Sequence, residues 1–457
     1  MTKNLTTGSP AKLILLFTLP LVIGNVFQQL YSMADTLIVG RTLGVDALAA
    51  VGCTGSLVFL IIGFAQGLTS GFSIITAQRF GAGDMQGVRQ SFIVSALLST
   101  AVTVVLTALA VPFTRPVLEW MRTPPQIIDE AYKYIVVIYW GIVSAMLFNL
   151  LSISSGRSAI AARRSFLIVA SLLNIGLDFL FILQFQMGVA GAAVATVIAQ
   201  LASGALCLLA IVKRFPMLHL HREDWKIPRE MVWQHLRVGL PMGFQSSIIA
   251  IGAIVLQFAL NNLGATSVAA YTAAQKIDMV AVQPMMSFGI TMATFAAQNY
   301  GAHNILRIRK GVRQCCAMSV AFSIVVGAVN ILAGHWLVGL FVGPDQPGDS
   351  ACKTYLVING AMYFVLALLF IYRYTLQGLG KSFVPTLAGV MELLMRTFAA
   401  VALSGWLGFA GACLANPLAW IGACVPLAAA YYAVCAGFPK RRAMWKKTIK
   451  QALRNRK

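Results

Sequence analysis

Between residues 12 and 437 the sequence is a succession of apolar runs, each roughly 20 to 30 residues long and rich in Leu, Ile, Val, Ala and Gly. A helix of that length crosses a hydrocarbon core of about 30 Å. The alternating ten-residue segments of an outer-membrane barrel are absent from the pattern. Only 11% of residues are charged and the mean hydropathy is +0.78, whereas a soluble domain carries about a quarter charged residues. The chain is therefore an all-α integral membrane protein. The runs predict twelve helices: 12–40, 47–78, 90–114, 131–155, 165–187, 189–213, 236–262, 266–298, 311–342, 353–377, 382–406 and 411–437. Several are longer than a bilayer needs, so they tilt, bend or project beyond it. The first run is read as a retained helix, because Gln28, Gln29 and Asp35 follow it and no small-residue cleavage site stands where a leader needs one.

Charge sets the orientation. With the N-terminus inside, the cytoplasmic segments hold Lys3, Lys12, Arg79, Arg89, Arg157, Arg163, Arg164, the linker cluster from Lys213 to Arg237, Arg307, Arg309, Lys310, Arg313, Lys381 and the basic tail 438–457. The external loops hold only Arg41, Arg115, Arg122, Lys133 and Lys353. That asymmetry predicts both termini on the cytoplasmic side of an inner or plasma membrane. It also accounts for the formal charge of +21 without a nucleic-acid partner. The tail, with Trp445, is expected to lie on anionic inner-leaflet lipid. The eight cysteines are scattered and read as small buried hydrophobes. His219 and His221 sit in a basic loop and read as solvated rather than as a structural metal site.

The sequence repeats itself. A-Q-R-F-G-A-G-D at Ala77–Asp84 returns as A-Q-N-Y-G-A-H-N at Ala297–Asn304. L-P-L-V-I-G-N at Leu19 matches L-P-M-G-F-Q-S at Leu240, L-G-V-D-A-L-A-A at Leu43 matches L-G-A-T-S-V-A-A at Leu263, and Arg89 matches Arg309. Residues 1–214 and 236–437 thus read as two six-helix lobes joined by a cytoplasmic linker, 215–235, which contains Pro216 and Pro228. Six is even, so both copies run the same way through the membrane. Such repeats are a transporter plan, with substrate handled between the halves. Gly81 and Gly301 are expected to end their helices, with Gln78 and Gln298 satisfying backbone groups there.

Several of these motifs together resemble the multidrug and toxic compound extrusion (MATE) family. They are L-P-L-V-I-G-N-V-F-Q-Q-L-Y-S-M-A-D-T-L-I-V-G-R, the paired Q-x-[FY]-G-A phrases, L-L-N-I-G-L-D-F-L-F-I with G-V-A-G-A-A-V-A-T, and M-E-L-L-M-R. The resemblance covers nearly the whole chain. It implies two lobes forming a V, and a secondary antiporter that expels bulky, often cationic compounds in exchange for Na⁺ or H⁺.

Sparse charges inside the helices select candidate sites. Of fourteen acids, those within helices are Asp35, Asp178, Asp278 and Glu392. A charge at a helix centre costs at least about 2.5–3.5 kcal/mol on insertion scales. Tyr31, Gln28 and Gly24 share a face with Asp35, and Asn174 lies one turn before Asp178. By this assignment the first lobe has no intramembrane Lys or Arg, since those it carries stand at helix ends or in loops. Two such acids brought together act as a proton carrier, or, with Asn174, Asn149 and Thr196, offer oxygens to a hard cation. A polar knot that holds helices together is the other reading. The resemblance implies that Asp35, Asn149, Asn174, Asp178 and Thr196 take the coupling ion and that helix 1 bends at Pro20.

The second lobe instead carries Lys276, Asp278, Arg373, Glu392 and Arg396, read as a charge network in which Glu392 and Arg396 pair at i, i+4. Asp278 and Glu392 also stand as candidate contacts for cationic substrates. Helix 7 carries no acid, which argues against a second-lobe ion site of the kind some MATE branches have. Candidate cavity residues are Gln28, Tyr31, Tyr139, Trp140, Met146, Met285, Met286, Met292 and Asp278, since aromatics and methionines adapt to many shapes. No cofactor is expected beyond the coupling ion, nor catalysis: no nucleotide-binding loop, H-E-x-x-H or G-x-S-x-G motif is present. The expected partners are small organic substrates and the bilayer, with the protein a monomer. A lipid-linked saccharide flippase on a related two-lobe plan is the alternative, kept open by Lys276, Arg373 and Arg396.

Overall fold

The computed structural model describes residues 5–121, 123–153, 169–214, 219–334, 336 and 349–437. Lys3, Arg122, Arg157, Arg163, Arg164, Pro216 and the tail 438–457 with Trp445 lie outside the described residues, as does the side chain of Tyr31. Every regular element among the described residues is helical. In chain order these are α1 (Pro10–Leu43), α2 (Val45–Gly81), α3 (Met85–Trp120), α4 (Ile128–Trp140), α5 (Ile142–Ile153), α6 (Val169–Gln184), α7 (Gly188–Arg214) and α8 (Arg229–Asn262). There follow α9 (Ala265–Gly301), α10 (Ile305–Leu332), α11 (Asp349–Ala361), α12 (Tyr363–Gly378), α13 (Phe383–Phe398), α14 (Phe409–Cys413) and α15 (Ala415–Ala436).

Among the described residues nine stretches are long and apolar enough to cross a membrane, Phe383–Leu407 and Phe409–Ala436 each taken as one, and the bent pairs α4–α5 and α11–α12, at 41° and 50°, bring the number to 11. With the shorter α6, every one of the twelve runs in the sequence has its helix. Large apolar side chains face outward along α3 and α10, including Val104, Leu109, Phe113, Ile324 and Val325. In water that surface would be a liability, and against lipid tails it is the expected exterior.

The chain condenses into two compact units that interleave in sequence. Of the described residues, one holds those within 16–77 and 84–255, and the other those within 5–15, 78–83 and 256–437. Among the described residues, the chain thus crosses between units inside α1, α2 and α8 and in the turn between α2 and α3. The repeat divides the chain in the linker, whereas the contacts divide it within α8. The reason is a glycine face. A β-carbon at Gly67 would stand 2.4 Å from the Met242 carbonyl oxygen, and one at Gly71 would stand 2.5 Å from Gly239 Cα. Small residues let the α2 and α8 backbones touch, which holds α8 as far as Val255 in the first unit.

Residues 78–83 of the first phrase and the whole of the second lie together in the second unit. Gly81 and Gly301 are the last residues of α2 and α9, as their sequence position predicts. Neither has the left-handed backbone, which falls two residues later at Gly83 (φ 75°) and His303 (φ 59°). Gln78 Nε2 donates to the Gly378 carbonyl at 2.8 Å, and Gln298 Oε1 accepts the Leu5 backbone N–H at 3.0 Å. Both glutamines therefore satisfy backbone groups of distant segments. The paired arginines differ in partner: Arg89 Nε donates to the Asp224 carboxylate Oδ2 at 2.7 Å, whereas Arg309 donates to the backbone carbonyl of Cys435 at the end of α15.

Candidate buried acid sites in each unit

In the first unit α1, α6 and α7 converge on a small apolar cluster formed by Val39, Ile182, Val189 and Ala192, with Ala47 from α2. Asp35 lies one turn before Val39, and Asp178 one turn before Ile182. Val39 and Ile182 share this cluster, which carries the two acids toward each other, and each carboxyl group is the other's electrostatic neighbour. Asp178 is fully buried and Asn174 nearly so, while Asp35 is half-buried. A π-helical turn, Leu180–Gln184, begins two residues after Asp178. Such turns insert one residue into a helix and reset which side chains share a face.

The donors do not match the acceptors. Asn174 Nδ2 points to Thr196 Oγ1 at 3.5 Å. Asn174 Oδ1, Asp35 Oδ1 and both Asp178 carboxylate oxygens are closed to solvent and meet no donor among the described residues. Two adjacent carboxylates cannot share a dry site while both are ionised. A proton or a small cation between them resolves the conflict. Asn149 is placed on α5, with its amide turned back to the Ala145 carbonyl at 2.8 Å.

The second unit arranges its charges differently from the sequence expectation. Glu392 does not pair with Arg396, its i+4 neighbour. It pairs with Arg373 on α12, because α12 and α13 present both groups to the same buried layer, where Arg373 and Glu392 are each about 95% buried or more. Lys276 is exposed and stands apart from this pair. Its expected membership in a buried network is thereby corrected, the physical reason being that it lies two residues from Asp278 on a helix, on another face.

Asp278 is buried and satisfied by two phenols. Tyr363 Oη donates to Oδ1 at 2.5 Å and Tyr355 Oη to Oδ2 at 3.3 Å. Asn330 Nδ2 donates to Tyr363 Oη at 3.0 Å. Tyr271 stacks edge-on against Tyr355, centroids 4.8 Å apart, and its hydroxyl accepts from Asn416 Nδ2 at 3.2 Å. Sequence reasoning missed Tyr271, Asn330, Tyr355 and Tyr363. One signal was available: Tyr355, Asn359 and Tyr363 recur every four residues, a polar stripe along an apolar helix pair.

Of the cavity candidates, Tyr139 and Met146 sit in the apolar core of the first unit with Leu68, Phe72 and Ile142. Met285 and Met292 are fully buried, Met286 is half-buried, and Gln28 and Trp140 are exposed. Pro20 lies inside α1, which continues on both sides of it. Its missing N–H leaves the Leu16 carbonyl without its helical donor, and Leu16 is where α1 passes from the second unit to the first.

A bundle of membrane helices built on an internal repeat, with ionisable side chains buried at mid-helix, is the architecture of a transporter. The MatE family model matches the chain twice, over residues 20–180 and 241–401, and the chain belongs to that family. The probable multidrug resistance protein YoeA of Bacillus subtilis is 27% identical over 390 residues, covering 83% of each chain. The probable multidrug resistance protein NorM of Thermotoga maritima is 26% identical over 386 residues, covering 82% of this chain and 81% of that one. A crystal structure of MATE in complex with MaL6 shares the fold, with a TM-score of 0.87 at 24% identity over 96% of this chain and 100% of that one.

Proposed function

We propose that the protein is a secondary antiporter that exports bulky, often cationic organic compounds in exchange for inward Na⁺ or H⁺. The observation that carries this reading is the oxygen cluster of Asp35, Asn174 and Asp178, which meets no donor among the described residues. Buried acceptors without donors favour a cation, and Thr196 and Asn149 complete an oxygen-rich set for Na⁺. The names of the relatives, multidrug resistance proteins, support the substrate class. The architecture supports transport rather than catalysis.

In this reading the cation enters the pair from outside and neutralises it. The α1–α6 contact tightens, and α1 yields at Pro20, where its hydrogen-bond ladder is already broken. The lobes at 1–214 and 236–437 act as the moving bodies, in a monomer with both termini cytoplasmic. A ligand shifts such an equilibrium only through unequal affinity for the two states. The exchange therefore requires that cation and substrate favour opposite states. One inward positive charge supplies about 2.3 kcal/mol per 100 mV, more than a tenfold concentration ratio. Gln28, Tyr31, Tyr139 and Met146 in the first unit, and Met286 and Asp278 in the second, are each proposed to meet substrate.

The lipid-linked saccharide flippase needs a cationic cavity. Lys276 is exposed and Arg373 is neutralised by Glu392, which leaves that alternative one arginine and favours the antiporter. The test is ethidium efflux from vesicles under separately imposed Na⁺ and pH gradients. One gradient drives efflux in the parent, and Asp178→Asn abolishes the drive. Normal gradient-driven transport by Asp178→Asn would sink the coupling proposal.

A further inference from the structure

The start of α8 has two faces of opposite character. At about 100° per residue, Met231, His235, Val238 and Met242 fall within an arc of about 60°, and all four are buried. That face is fastened to the helices beside it. His235 Nε2 lies 2.8 Å from Ser91 Oγ on α3, and its ring tilts against Phe72 of α2 with centroids 5.7 Å apart. The linker turn just before α8 is tied down as well, for Gln90 Nε2 donates to the Lys226 carbonyl at 2.9 Å. The opposite face is thereby fixed outward.

On that outward face Arg229, Trp233 and Arg237 follow one another a turn apart, and Phe244 and Ile251 continue the same line. All five are exposed, and all lie within an arc of about 80°. Neither guanidinium has a hydrogen-bond or ion-pair partner among the described residues. The flanking acid, Glu230, accepts from Gln234 Nε2 at 3.2 Å instead. Trp225 and Lys226 add an exposed aromatic and an exposed cation in the turn that precedes the helix. Phe244 and Ile251 are an apolar row on a spanning helix, and lipid tails are what such a row faces. Phe244 stands about 10 Å from Arg237 along the axis, inside the roughly 15 Å of one leaflet's hydrocarbon. A lipid whose chain lies on Phe244 therefore carries its phosphate to the level of the arginines.

We propose that Arg229, Trp233 and Arg237 form a binding site for the headgroup of an anionic phospholipid, with its chains along Phe244 and Ile251. A guanidinium matches phosphate oxygens with paired N–H···O bonds. The arginines are about 12 Å apart along the axis, and Arg237, the deeper one, extends its stem toward the headgroups. Trp233 between them sits at the boundary of the hydrocarbon, where tryptophan is favoured. With this end of α8 in the cytoplasm, as the basic linker implies, the leaflet it meets is the one that carries anionic lipid. The bound lipid braces α8 beside the linker turn that Arg89 and Gln90 hold on α3. The site is independent of the ion-exchange reading.

The test uses the purified full-length chain in phosphatidylcholine nanodiscs. Phosphatidylglycerol, brominated near the headgroup end of its chains, is added in rising fraction, and its bromines quench tryptophan fluorescence on contact. The difference between the parent and Trp233→Phe isolates the Trp233 signal. In the parent, phosphatidylglycerol is preferred over equally brominated phosphatidylcholine by at least about tenfold, each basic residue near the surface contributing about fivefold. Arg229→Gln with Arg237→Gln brings the preference close to one, and the corresponding Lys pair keeps part of it. Both pairs melt as the parent does in pure phosphatidylcholine, since the face is exposed. Equal quenching by the two lipids in the parent overturns the site, and so does an unchanged preference in the Gln pair. An equal loss in Lys446→Gln with Lys447→Gln, in the tail, also overturns it, because total charge rather than this face then selects the lipid. Relief of the quenching by inorganic phosphate at constant ionic strength assigns the arginines to a soluble anion and overturns the lipid as occupant. Ethidium efflux is read separately, and its failure bears on the antiport reading alone.

Discussion

Gly301 lies against the backbone of Gln78: a β-carbon there would stand 1.9 Å from the Gln78 carbonyl oxygen. The contact is reciprocal, for a β-carbon at Gly81 would stand 2.0 Å from the Gln298 carbonyl oxygen. The two copies of the repeated phrase therefore close on each other, glycine to glutamine in both directions. Neither glycine is there for its backbone freedom, since both are helical. They are there because only hydrogen fits. Gly301→Ala and Gly81→Ala are expected to destabilise by about 1–3 kcal/mol through overpacking. Gly52 in α2 has open space around its β-position, so Gly52→Ala is expected to be neutral or stabilising by up to about 1 kcal/mol. Thermal unfolding in detergent tests the ordering, and equal melting temperatures for Gly301→Ala and Gly52→Ala would refute it.

The acid pair of the first unit predicts that function and stability move in opposite directions. Asp178→Asn removes one of two adjoining carboxyl groups and brings an amide donor to oxygens that have none. The fold is expected to gain stability, because an uncompensated buried acid is costly. The dependence of ethidium affinity on Na⁺ or pH is expected to vanish. Asp35→Asn should behave the same way, and the double variant should be little different from either single one, since the pair acts as a unit. A variant that melts lower yet keeps its ion dependence would contradict the argument.

What could be read from the sequence follows from which interactions are local. Asp35, Asn174, Asp178 and Thr196 stand out because charge and amide are scarce inside membrane helices, and i, i+4 spacing puts Asn174 and Asp178 on one face. Glu392 shows where this reasoning stops. Arg396 at i+4 was its natural partner by spacing, yet α12 brings Arg373 from 19 residues away, and the tertiary contact wins. Asp278 looked unpaired for the same reason: Tyr355 and Tyr363 are 77 and 85 residues distant. Gly81 and Gly301 were legible as helix ends. Their close approach was not, since a glycine at a helix terminus carries no mark that separates a left-handed cap from a backbone contact.

The tyrosine cradle predicts a hierarchy among buried substitutions. Tyr363→Phe removes a donor from the Asp278 carboxylate and leaves Asn330 without its acceptor. The expected cost is about 1.5–3 kcal/mol, the range for a hydrogen bond to a charged group. Asp278→Asn in the Tyr363→Phe background should cost less than the two single changes added together, because the unmet charge is gone. Additivity of the melting shifts would show that Tyr363 and Asp278 contribute independently.

Leu5 predicts an anchored N-terminal segment. Its side chain is buried, its N–H is held by Gln298, and its carbonyl accepts from Asn299 Nδ2 and Arg307 Nε. Arg307 also donates to the carbonyls of Thr7 and Gly8. One arginine thus gathers three backbone acceptors of a short segment that has no helical partner of its own. Arg307→Ala is expected to release residues 5–8, raising their amide exchange by at least about tenfold. Exchange within α9 and α10 should stay near the parent level. Unchanged protection at residues 5–8 would show that Leu5 burial alone holds the segment.

The linker supplies a pH prediction with a definite sign. The Arg89 guanidinium, hydrogen-bonded at 2.7 Å, holds the Asp224 carboxyl below the usual carboxylate range, and the His221 backbone N–H adds to this. A carboxyl depressed on folding binds fewer protons in the folded than in the unfolded state. Its contribution is present above the unfolded value, about 3.9, and is lost as pH falls through the lower folded one. Docking of residues 221–226 on α3 is therefore expected to be constant from pH 8 to about 5 and to weaken only below about 4. Asp224→Asn should remove that acid dependence and loosen the linker at neutral pH, read as faster amide exchange at residues 221–226. Acid-dependent exchange that persists in Asp224→Asn would assign the linker's pH response to another group.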